Sequence, residues 1–400
     1  MLIRLLVASD GVAPTGLSRA IHALLGRLSP ETFEIHHLAI NYRGDPHSTP
    51  WKVYPAALGG DPYGFGRLIK LVNFVRPHIV FLLNDLWILA EYLRILREAP
   101  ISTKIAVWAY VESEPVDPDW LNGFRRINQL VTCTDFAKRL ILEALNLKNP
   151  NDISIIPLGI DASTFCPLDT PRGFTGDKTL EAKSKLRIFQ EEELDESFIV
   201  LNANRNQPRK RIDSTIRAFS EFAKGKPNNV KLYLHMGQQD AGWNVIKLCR
   251  RFGIEDRLIM SDSGGLVPDI SDEDMNLIYN ACDVGLNTSS CEGWGLVAFE
   301  HAAVGRAQVM TDSPQLRELW EGSAILAPVN RMVVHEGTLL NGYLVDEDGL
   351  SSILERLYCD KSERLKWSQS ALEKATKAEY SWDSIARSWE ARFRELVGVD

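Results

Sequence analysis

Short apolar runs alternate with longer amphipathic segments along the chain, and this alternation constrains the fold more than any other feature. In the first part, the runs LIRLLVAS, HIVFLLN, KIAVWAYV, QLVTCT and DISIIPLG are separated by segments of helical period such as GLSRAIHALLGRL. Runs that are apolar on both faces indicate strands of a parallel sheet covered by helices. We therefore predict an α/β domain built on a doubly wound, Rossmann-like sheet.

The alternation stops over residues 161–196 and then begins again. This segment is densely charged and contains prolines and glycines, which is typical of a linker with one amphipathic helix. After it, the runs SFIVLNAN, VKLYLHMG, RLIMSD, VGLNTS and AQVMTDS alternate with new helical segments. We predict a first domain over 1–165 and a second doubly wound domain over 166–382.

Composition excludes several classes of protein. A net charge of -8 argues against a general nucleic-acid binder, which needs a clustered basic surface. The six cysteines include no CxxC pair, and we interpret them as the reduced thiols of a cytoplasmic protein. Apolar runs such as Ile79 to Leu83 are far shorter than the roughly 18 residues of a membrane span. We expect no transmembrane segment and no bulk nucleic-acid partner, while peripheral contact with a membrane stays open.

The stretch CEGWGLVAFEHAAVG, residues 291–305, follows the predicted strand VGLNTS and leads into a helix that we expect to begin at about Leu296. Gly293 and Gly295 allow another group to approach the backbone closely. The free amides at the start of the helix belong to Gly295, Leu296 and Val297, and they would point toward an anion. The pattern therefore predicts a phosphate cradle.

Two glutamates flank this cradle. Glu292 lies in the loop and Glu300 about one turn into the helix, so each carboxylate can accept hydrogen bonds from sugar hydroxyls on a different side of the phosphates. The alternative is that Glu292 is a helix-capping acid and Glu300 a solvated helical residue. The stretch alone does not decide between them.

Basic residues follow the first strand of the second domain, in NANRNQPRKRID. Arg205 and Lys210 are candidates to stabilise a diphosphate leaving group, which gains negative charge as its bond breaks. The alternative is a basic, solvated end of a loop, and we assign Arg209 and Arg211 to that description.

Taken in order, SDGVAPTGLSRA, IIPLGIDASTFCP, the Arg205 and Lys210 pair and LIYNACDVGLNTSSCEGWGLVAFEHAAVG resemble the family-4 retaining glycosyltransferases of the GT-B fold. The resemblance covers nearly the whole chain. It implies two Rossmann-like domains that face each other across a cleft, the first for the acceptor and the second for the nucleotide sugar. It also implies that a C-terminal helix, 383–400, packs back on the first domain.

The same resemblance assigns roles to residues. It implies that Arg205 and Lys210 hold the donor diphosphate, Glu292 the donor sugar and Glu300 the ribose. The amides that follow Gly293, from Trp294 to Val297, would contact sugar and phosphate. In the first domain, the glycine turn containing Gly16 would approach the donor.

The chain departs from the family pattern in three places. Many members carry a histidine where Tyr110, Val111 and Glu112 stand here, and we assign Glu112 a polar contact with the reacting sugar. The usual double glycine near the first helix is reduced to Gly16, and a glycine-rich segment is replaced by TDSPQLREL. These changes concern the donor sugar and the acceptor more than donor binding.

The expected activity is transfer of a sugar from a donor such as a UDP- or GDP-sugar to a carbohydrate, lipid-linked or other small acceptor. No metal is expected, because no histidine pair has metal-binding spacing. No cofactor is expected beside the nucleotide-sugar donor. The loop residues Tyr42, Trp51, Tyr54, Tyr63 and Phe65 are candidates either to stack on an acceptor or to anchor their loop to the core. A nucleotide-sugar epimerase, a sugar phosphorylase and a noncatalytic nucleotide-sugar-binding protein stay open as alternatives.

Overall fold

The computed structural model describes residues 2–12, 15–44, 46–100, 102–168, 177–186, 197–238, 240–261, 268 and 270–399, without the side chains of 177–179. The chain divides into two compact units, Met1–Gly159 with Ala378–Asp400 and Ile160–Lys377. The division falls a few residues before the predicted boundary at 165. Much of the predicted linker, at 169–176 and 187–196, lies outside the described residues.

The described part of the first unit contains a parallel sheet of seven strands in the order β3-β2-β1-β4-β5-β6-β7. The strands are β1 (Ile3–Asp10), β2 (Phe33–Ile40), β3 (Lys52–Pro55), β4 (Ile79–Asp85), β5 (Lys104–Tyr110), β6 (Gln129–Thr132) and β7 (Ser154–Ile155). The helices between them are α1 (Gly16–Leu25), α2 (Phe65–Val75), α3 (Leu86–Ile95) and α4 (Asp135–Ala144). The central strands are almost fully buried, as their apolar sequences predict.

The aromatic residues that sequence analysis placed in a loop, Tyr42 to Phe65, are not all in a loop, because Tyr54 lies in β3 and Phe65 begins α2. These aromatic residues pack within the unit. Tyr54 stacks on His36 with ring centroids 5.8 Å apart, and Tyr63 stacks on Phe65 at 5.2 Å. Tyr42 is buried. These contacts favour anchoring of the segment over stacking on an acceptor.

The last helix, α13 (Trp382–Val397), packs against the first sheet. The ring of Trp389 is fully buried and lies 4.6 Å from that of Phe81 and 5.3 Å from that of Trp108, measured between centroids. Gly159 lies against the indole of Trp382, where a β-carbon would stand 2.6 Å from the ring. The amphipathic pattern of this helix therefore buries its aromatic face on β4 and β5.

The described part of the second unit has a parallel sheet of six strands in the order β10-β9-β8-β11-β12-β13. The strands are β8 (Phe198–Asn202), β9 (Val230–Leu234), β10 (Leu258–Met260), β11 (Val284–Asn287), β12 (Ala307–Thr311) and β13 (Ile325–Ala327). The helices are α5 (Asp177–Lys185), α6 (Ile212–Phe222), α7 (Val245–Arg251), α8 (Asp272–Ala281), α9 (Leu296–Ala303), α10 (Pro314–Trp320), α11 (Glu347–Cys359) and α12 (Lys361–Ala375).

An antiparallel hairpin, β14 (Val329–Val334) and β15 (Asn341–Val345), follows β13. The sequence pattern did not predict this hairpin or the two helices after it. The prediction of two Rossmann-like domains with parallel sheets is confirmed. Within the described residues, no helix is both long and apolar enough to cross a membrane.

Candidate active site

Two loops of the second unit leave the sheet side by side. The basic loop, residues 203–211, follows β8, and the acidic loop, residues 288–295, follows β11. These strands are hydrogen-bonded neighbours, so both loops leave at the carboxyl edge of the sheet. Ligands of doubly wound domains bind at this edge. The structure therefore brings the predicted basic and acidic residues together.

Lys210 and Glu292 form a buried ion pair between these two loops. The ammonium group donates to Glu292 Oε2, and only 9% and 4% of the two side chains are exposed. Ser289 Oγ donates to the same carboxylate at 3.2 Å. Burial opposes ionisation of Glu292, but the charges of Lys210 and Arg209 outweigh it and hold the pKa of Glu292 below its usual value. The carboxylate is therefore ionised at neutral pH.

Hydrogen bonds to backbone carbonyl oxygens connect the two loops. Thr288 Oγ1 lies 3.0 Å from the carbonyl oxygen of Lys210, and Ser290 N donates to the carbonyl oxygen of Arg209 at 2.8 Å. The guanidinium of Arg209 donates to the carbonyl oxygen of Cys291 at 3.2 Å. Our assignment of Arg209 to a solvated loop end is therefore wrong, because it holds the residue before Glu292.

Arg205 is paired with a carboxylate of its own. Its Nε and Nη2 donate to the two oxygens of Asp240 at 2.9 and 3.1 Å, and about a third of its side chain is exposed. The next residue, Asn206, exchanges two hydrogen bonds with the backbone of Trp243. Asp240 was not predicted as a site residue, since it lies 35 positions away on a loop with no motif. The fork geometry of this pair fixes the plane of the guanidinium.

Helix α9 begins at Leu296, as predicted. Gly295 precedes it with a φ of +85°, a conformation that a residue with a side chain rarely adopts. The side-chain nitrogen of Asn287 lies 3.5 Å from the place that a β-carbon of Gly295 would occupy. Gly293 is also buried, while Leu296 and Val297 are half-buried. Glycine is therefore required where the acidic loop turns into the helix.

The side chains of Trp294 and Glu300 are both buried. Trp294 stacks on Phe299 with centroids 4.8 Å apart and an interplanar angle of 8°. The buried indole of Trp294 therefore packs against α9 in the core of the second unit. Glu300 Oε2 accepts a hydrogen bond of 2.7 Å from the hydroxyl of Tyr279. The alternative of a solvated Glu300 is therefore wrong, and Tyr279 was missed although it lies in the segment that carries the family resemblance.

The hairpin of β14 and β15, which the sequence pattern did not predict, is hydrogen-bonded to the acidic loop. Tyr343 N donates to the carbonyl oxygen of Ser290 at 2.7 Å. His335 Nε2 lies 2.9 Å from Ser290 Oγ and 3.7 Å from Cys291 Sγ. Since Ser290 Oγ donates to the carbonyl oxygen of Arg209, the imidazole N–H is the donor to Ser290. Residues on the hairpin thus fix the two positions before Glu292.

Two predicted residues lie in the first unit. Gly16 is the first residue of α1 and not part of a turn before it, which corrects the prediction. The cap is Thr15, whose hydroxyl accepts from Ser18 N and donates to Asp10 Oδ2 at 2.6 Å. Glu112 is half-buried, two residues past β5.

Part of the chain is similar to known glycosyltransferases in sequence. Residues 184–373 match the profile of the family Glycosyl transferases group 1. D-inositol 3-phosphate glycosyltransferase of Stackebrandtia nassauensis is 25% identical over 262 residues, which cover 64% of this chain and 52% of that protein. The chain thus spans about half the length of this curated relative.

Solved structures resemble the whole chain in fold. A sucrose-phosphate synthase from Thermosynechococcus elongatus matches with a TM-score of 0.71 at 16% identity and covers 100% of both chains. Anabaena HepE, solved in complex with UDP-glucose, matches with a TM-score of 0.69 at 16% identity over 98% of this chain and 100% of its own. The chain therefore has the GT-B fold that the sequence resemblance predicted, and residues 184–373 are similar to the group 1 glycosyltransferases.

Proposed function

We propose that this protein is a retaining glycosyltransferase that moves a sugar from a nucleoside-diphosphate sugar to an acceptor hydroxyl. The observation that carries the proposal is the buried Lys210 and Glu292 pair at the carboxyl edge of a group 1 domain. A buried charge pair costs desolvation energy that an apolar pair would not. A catalytic requirement for both charges gives a reason to retain it.

In this proposal, Lys210 and Arg205 bind the diphosphate. The ammonium is a point charge, and the guanidinium is a planar fork held by Asp240. Charge that develops on the leaving oxygen is stabilised without reorganisation, because both cations are already fixed. The amides from Trp294 to Val297 complete the phosphate contacts made by the second unit.

The two glutamates bind hydroxyl groups of the donor. Glu292 contacts the transferred sugar, and Glu300 contacts the ribose. Both carboxylates are buried and already accept hydrogen bonds from neighbouring hydroxyls, Ser289 for the first and Tyr279 for the second. Such support orients a carboxylate before a ligand arrives, which lowers the entropic cost of binding. Glu112 contributes a polar contact near the reacting sugar.

The configuration is retained because the acceptor attacks the face of the sugar from which the leaving group departs. The bond between the anomeric carbon and the diphosphate oxygen breaks, and the acceptor oxygen forms the new bond to that carbon. The proton of the acceptor hydroxyl passes to a phosphate oxygen of the leaving diphosphate. No protein nucleophile is used in this scheme.

We propose that transfer does not depend on a metal ion, because Lys210 and Arg205 supply the positive charge. In the portion of the chain that the structure describes, no group of three or more His, Cys, Asp or Glu is arranged to hold a metal. The test is turnover in EDTA, which should match turnover in Mg²⁺. The acceptor, a carbohydrate, lipid-linked or other small molecule, binds to the first unit.

One assay separates the proposal from the alternatives. The protein is incubated with each common UDP-, GDP- and ADP-sugar, with and without acceptor mixtures, and the released nucleoside diphosphate is measured. A transferase releases it together with a product that retains the anomeric configuration by NMR. An epimerase changes the donor without an acceptor, a phosphorylase requires inorganic phosphate, and a noncatalytic protein binds a donor without turnover.

A further inference from the structure

Tyr279, the hydrogen-bond partner of Glu300, is held at two points by consecutive residues of α9. Its hydroxyl donates to Glu300 Oε2 at 2.7 Å, and its carbonyl oxygen lies 3.1 Å from His301 Nε2. The ring of His301 also stacks on that of Tyr279, with centroids 5.4 Å apart and an interplanar angle of 29°. The imidazole therefore contacts both the backbone and the ring of the residue that orients Glu300.

A second hydrogen bond determines which nitrogen of His301 carries the proton. Gln308 Nε2 donates to the carbonyl oxygen of Arg306 at 3.0 Å and lies 3.1 Å from His301 Nδ1. An amide nitrogen has two protons and no lone pair to offer, so Nδ1 is the acceptor and Nε2 donates to Tyr279. Burial lowers the pKa of His301 to about 3, so the ring is neutral at physiological pH.

A glycine on β11 makes room for this arrangement. A β-carbon at Gly285 would stand 2.5 Å from His301 Nδ1 and 2.4 Å from Gln308 Oε1, closer than real β-carbons approach other atoms. Glycine weakens the interior of a strand and often marks a place where another group approaches closely. The hydrogen bond between His301 and Gln308 therefore depends on the missing side chain at position 285.

These contacts give His301 more than a packing role. A buried imidazole is costly unless its nitrogens are hydrogen-bonded, and an apolar side chain would fill the same volume without that requirement. Here one nitrogen is bonded to α8 and the other to β12. The backbone of Cys282, directly after α8, is a further partner of the ring. His301 thus links α9, which carries Glu300, to the end of α8, which carries Tyr279.

We infer that His301 is a positioning residue for donor binding, because it holds Tyr279 where the tyrosine hydroxyl orients Glu300 toward the ribose. The inference rests on the proposed function, to which the ribose assignment of Glu300 belongs. His301 does not touch the donor in this scheme. Its loss should therefore weaken the contact with the ribose and leave the phosphate contacts of Lys210 and Arg205 unchanged.

The test measures the affinity of the full chain for UDP, GDP and ADP by calorimetry, and then for the 2′,3′-dideoxy form of the nucleotide that binds most tightly. We expect His301→Ala to bind the ribonucleotide roughly 2- to 10-fold more weakly than the parent protein does. Both proteins should bind the dideoxy nucleotide equally, since it has no ribose hydroxyl for Glu300 to hold. In turnover, the KM for the donor should rise by the same factor while kcat stays unchanged.

Two further variants separate positioning from packing. His301→Gln keeps an N–H donor for the carbonyl oxygen of Tyr279 and should recover part of the lost affinity. In Tyr279→Phe the link to Glu300 is already absent, so adding His301→Ala should cost no further ribonucleotide affinity.

His36→Ala is the matched control. His36 also stacks on a tyrosine, Tyr54, and lies 2.9 Å from its hydroxyl, but it belongs to the first unit. Its loss removes contacts of the same kind and should leave nucleotide affinity unchanged.

The outcomes distinguish this inference from the proposed function. If His301→Ala binds the ribonucleotide like the parent, or loses the same factor for both nucleotides, the inference is overturned and the proposed function is untouched. A parent protein that binds no nucleotide would contradict the proposed function, and one that binds both forms equally would contradict the ribose assignment. Either result would overturn the inference as well.

A measurement on the unmodified protein tests the inference even if His301→Ala does not fold. With histidine labelled by ¹⁵N, we expect His301 as the Nε2–H tautomer with a hydrogen-bonded Nδ1. Its signals should shift when the ribonucleotide binds and shift less with the dideoxy form. An Nδ1–H tautomer, or signals that neither nucleotide moves, would contradict the positioning role.

Discussion

The ammonium of Lys210 and the carboxylate of Glu292 are paired in the interior of the second unit, although 82 positions separate them in the sequence. Each belongs to a loop that leaves one of two neighbouring strands. Further contacts between the loops, from Thr288 to Lys210 and from Arg209 to Cys291, hold the pair in place. The site is therefore a property of both loops and not of either motif alone.

Breaking this pair should reduce stability and activity, whereas replacing both charges should reduce activity alone. Lys210→Met leaves a buried, unpaired carboxylate and should cost about 3–5 kcal/mol of unfolding free energy. The double variant K210M/E292Q removes both charges, so much of this stability should return while donor turnover stays absent. Urea unfolding and nucleoside-diphosphate release measure the two effects. A double variant that is as unstable as the single one would argue against the pair as the cause.

Asp240→Asn should weaken donor binding through Arg205. The variant keeps the size of the side chain but removes the charge that orients the guanidinium at 2.9 and 3.1 Å. A hydrogen bond to a charged group contributes about 1.5–3 kcal/mol, so we expect a loss of roughly 10- to 100-fold in donor affinity by calorimetry. Asp256→Asn, at an exposed position of the same unit, is the control and should bind like the parent protein.

Tyr279→Phe should loosen Glu300. The variant removes only the hydroxyl that donates to Glu300 Oε2, leaving a buried carboxylate with one hydrogen bond fewer. Loss of such a partner costs about 1–3 kcal/mol. Because we assign Glu300 to the ribose, affinity for the free nucleoside diphosphate should fall with affinity for the intact donor. Unchanged nucleotide affinity would contradict the ribose assignment.

His335→Ala should slow turnover by releasing Ser290 and Cys291 from the hairpin. One neutral hydrogen bond is worth about 0.5–1.5 kcal/mol, so kcat/KM should fall by roughly 2- to 10-fold. His335→Gln retains an N–H donor and should restore part of the loss, which a general loss of packing would not allow. Glu336→Ala, an exposed neighbour on the same hairpin, should be neutral.

Acid should destabilise the fold through His37 and His301. Burial lowers the pKa of each ring from 6.5 to about 3, so the unfolded chain binds more protons than the folded chain between these values. Their stability contribution is complete above pH 6.5 and is lost progressively as the pH falls toward 3. At pH 5 each ring should cost about 2 kcal/mol, as 1.36 kcal/mol per unit implies. Urea unfolding across this pH range should show that His37→Gln loses less unfolding free energy on acidification than the parent protein does.

Local sequence patterns were sufficient to predict the sheets and the start of α9. Buried strands such as β4 and β8 begin with continuous apolar runs, and Gly295 marks the turn before the helix. The short edge strand β3 and the hairpin β14 and β15 lack these patterns, since several of their residues are exposed. Whether these segments form strands depends on tertiary contacts, which a short stretch of sequence does not show.

The candidate site was predicted in part for the same reason. Lys210, Glu292 and Glu300 have residue types and positions that suggest anion and hydroxyl binding. Their partners Asp240, Tyr279 and His335 lie on other elements and carry no motif of their own. Arg209 was misassigned because its contact with Cys291 joins two loops that only the strand order brings together.

The most direct test is donor turnover by the parent protein and by K210M/E292Q, with each UDP-, GDP- and ADP-sugar and a mixture of acceptors. We predict that one nucleotide sugar yields a nucleoside diphosphate and a glycosylated product of retained configuration, and that the folded double variant yields neither. Failure of every nucleotide sugar to bind or react, or full turnover by the double variant, would contradict the assignment.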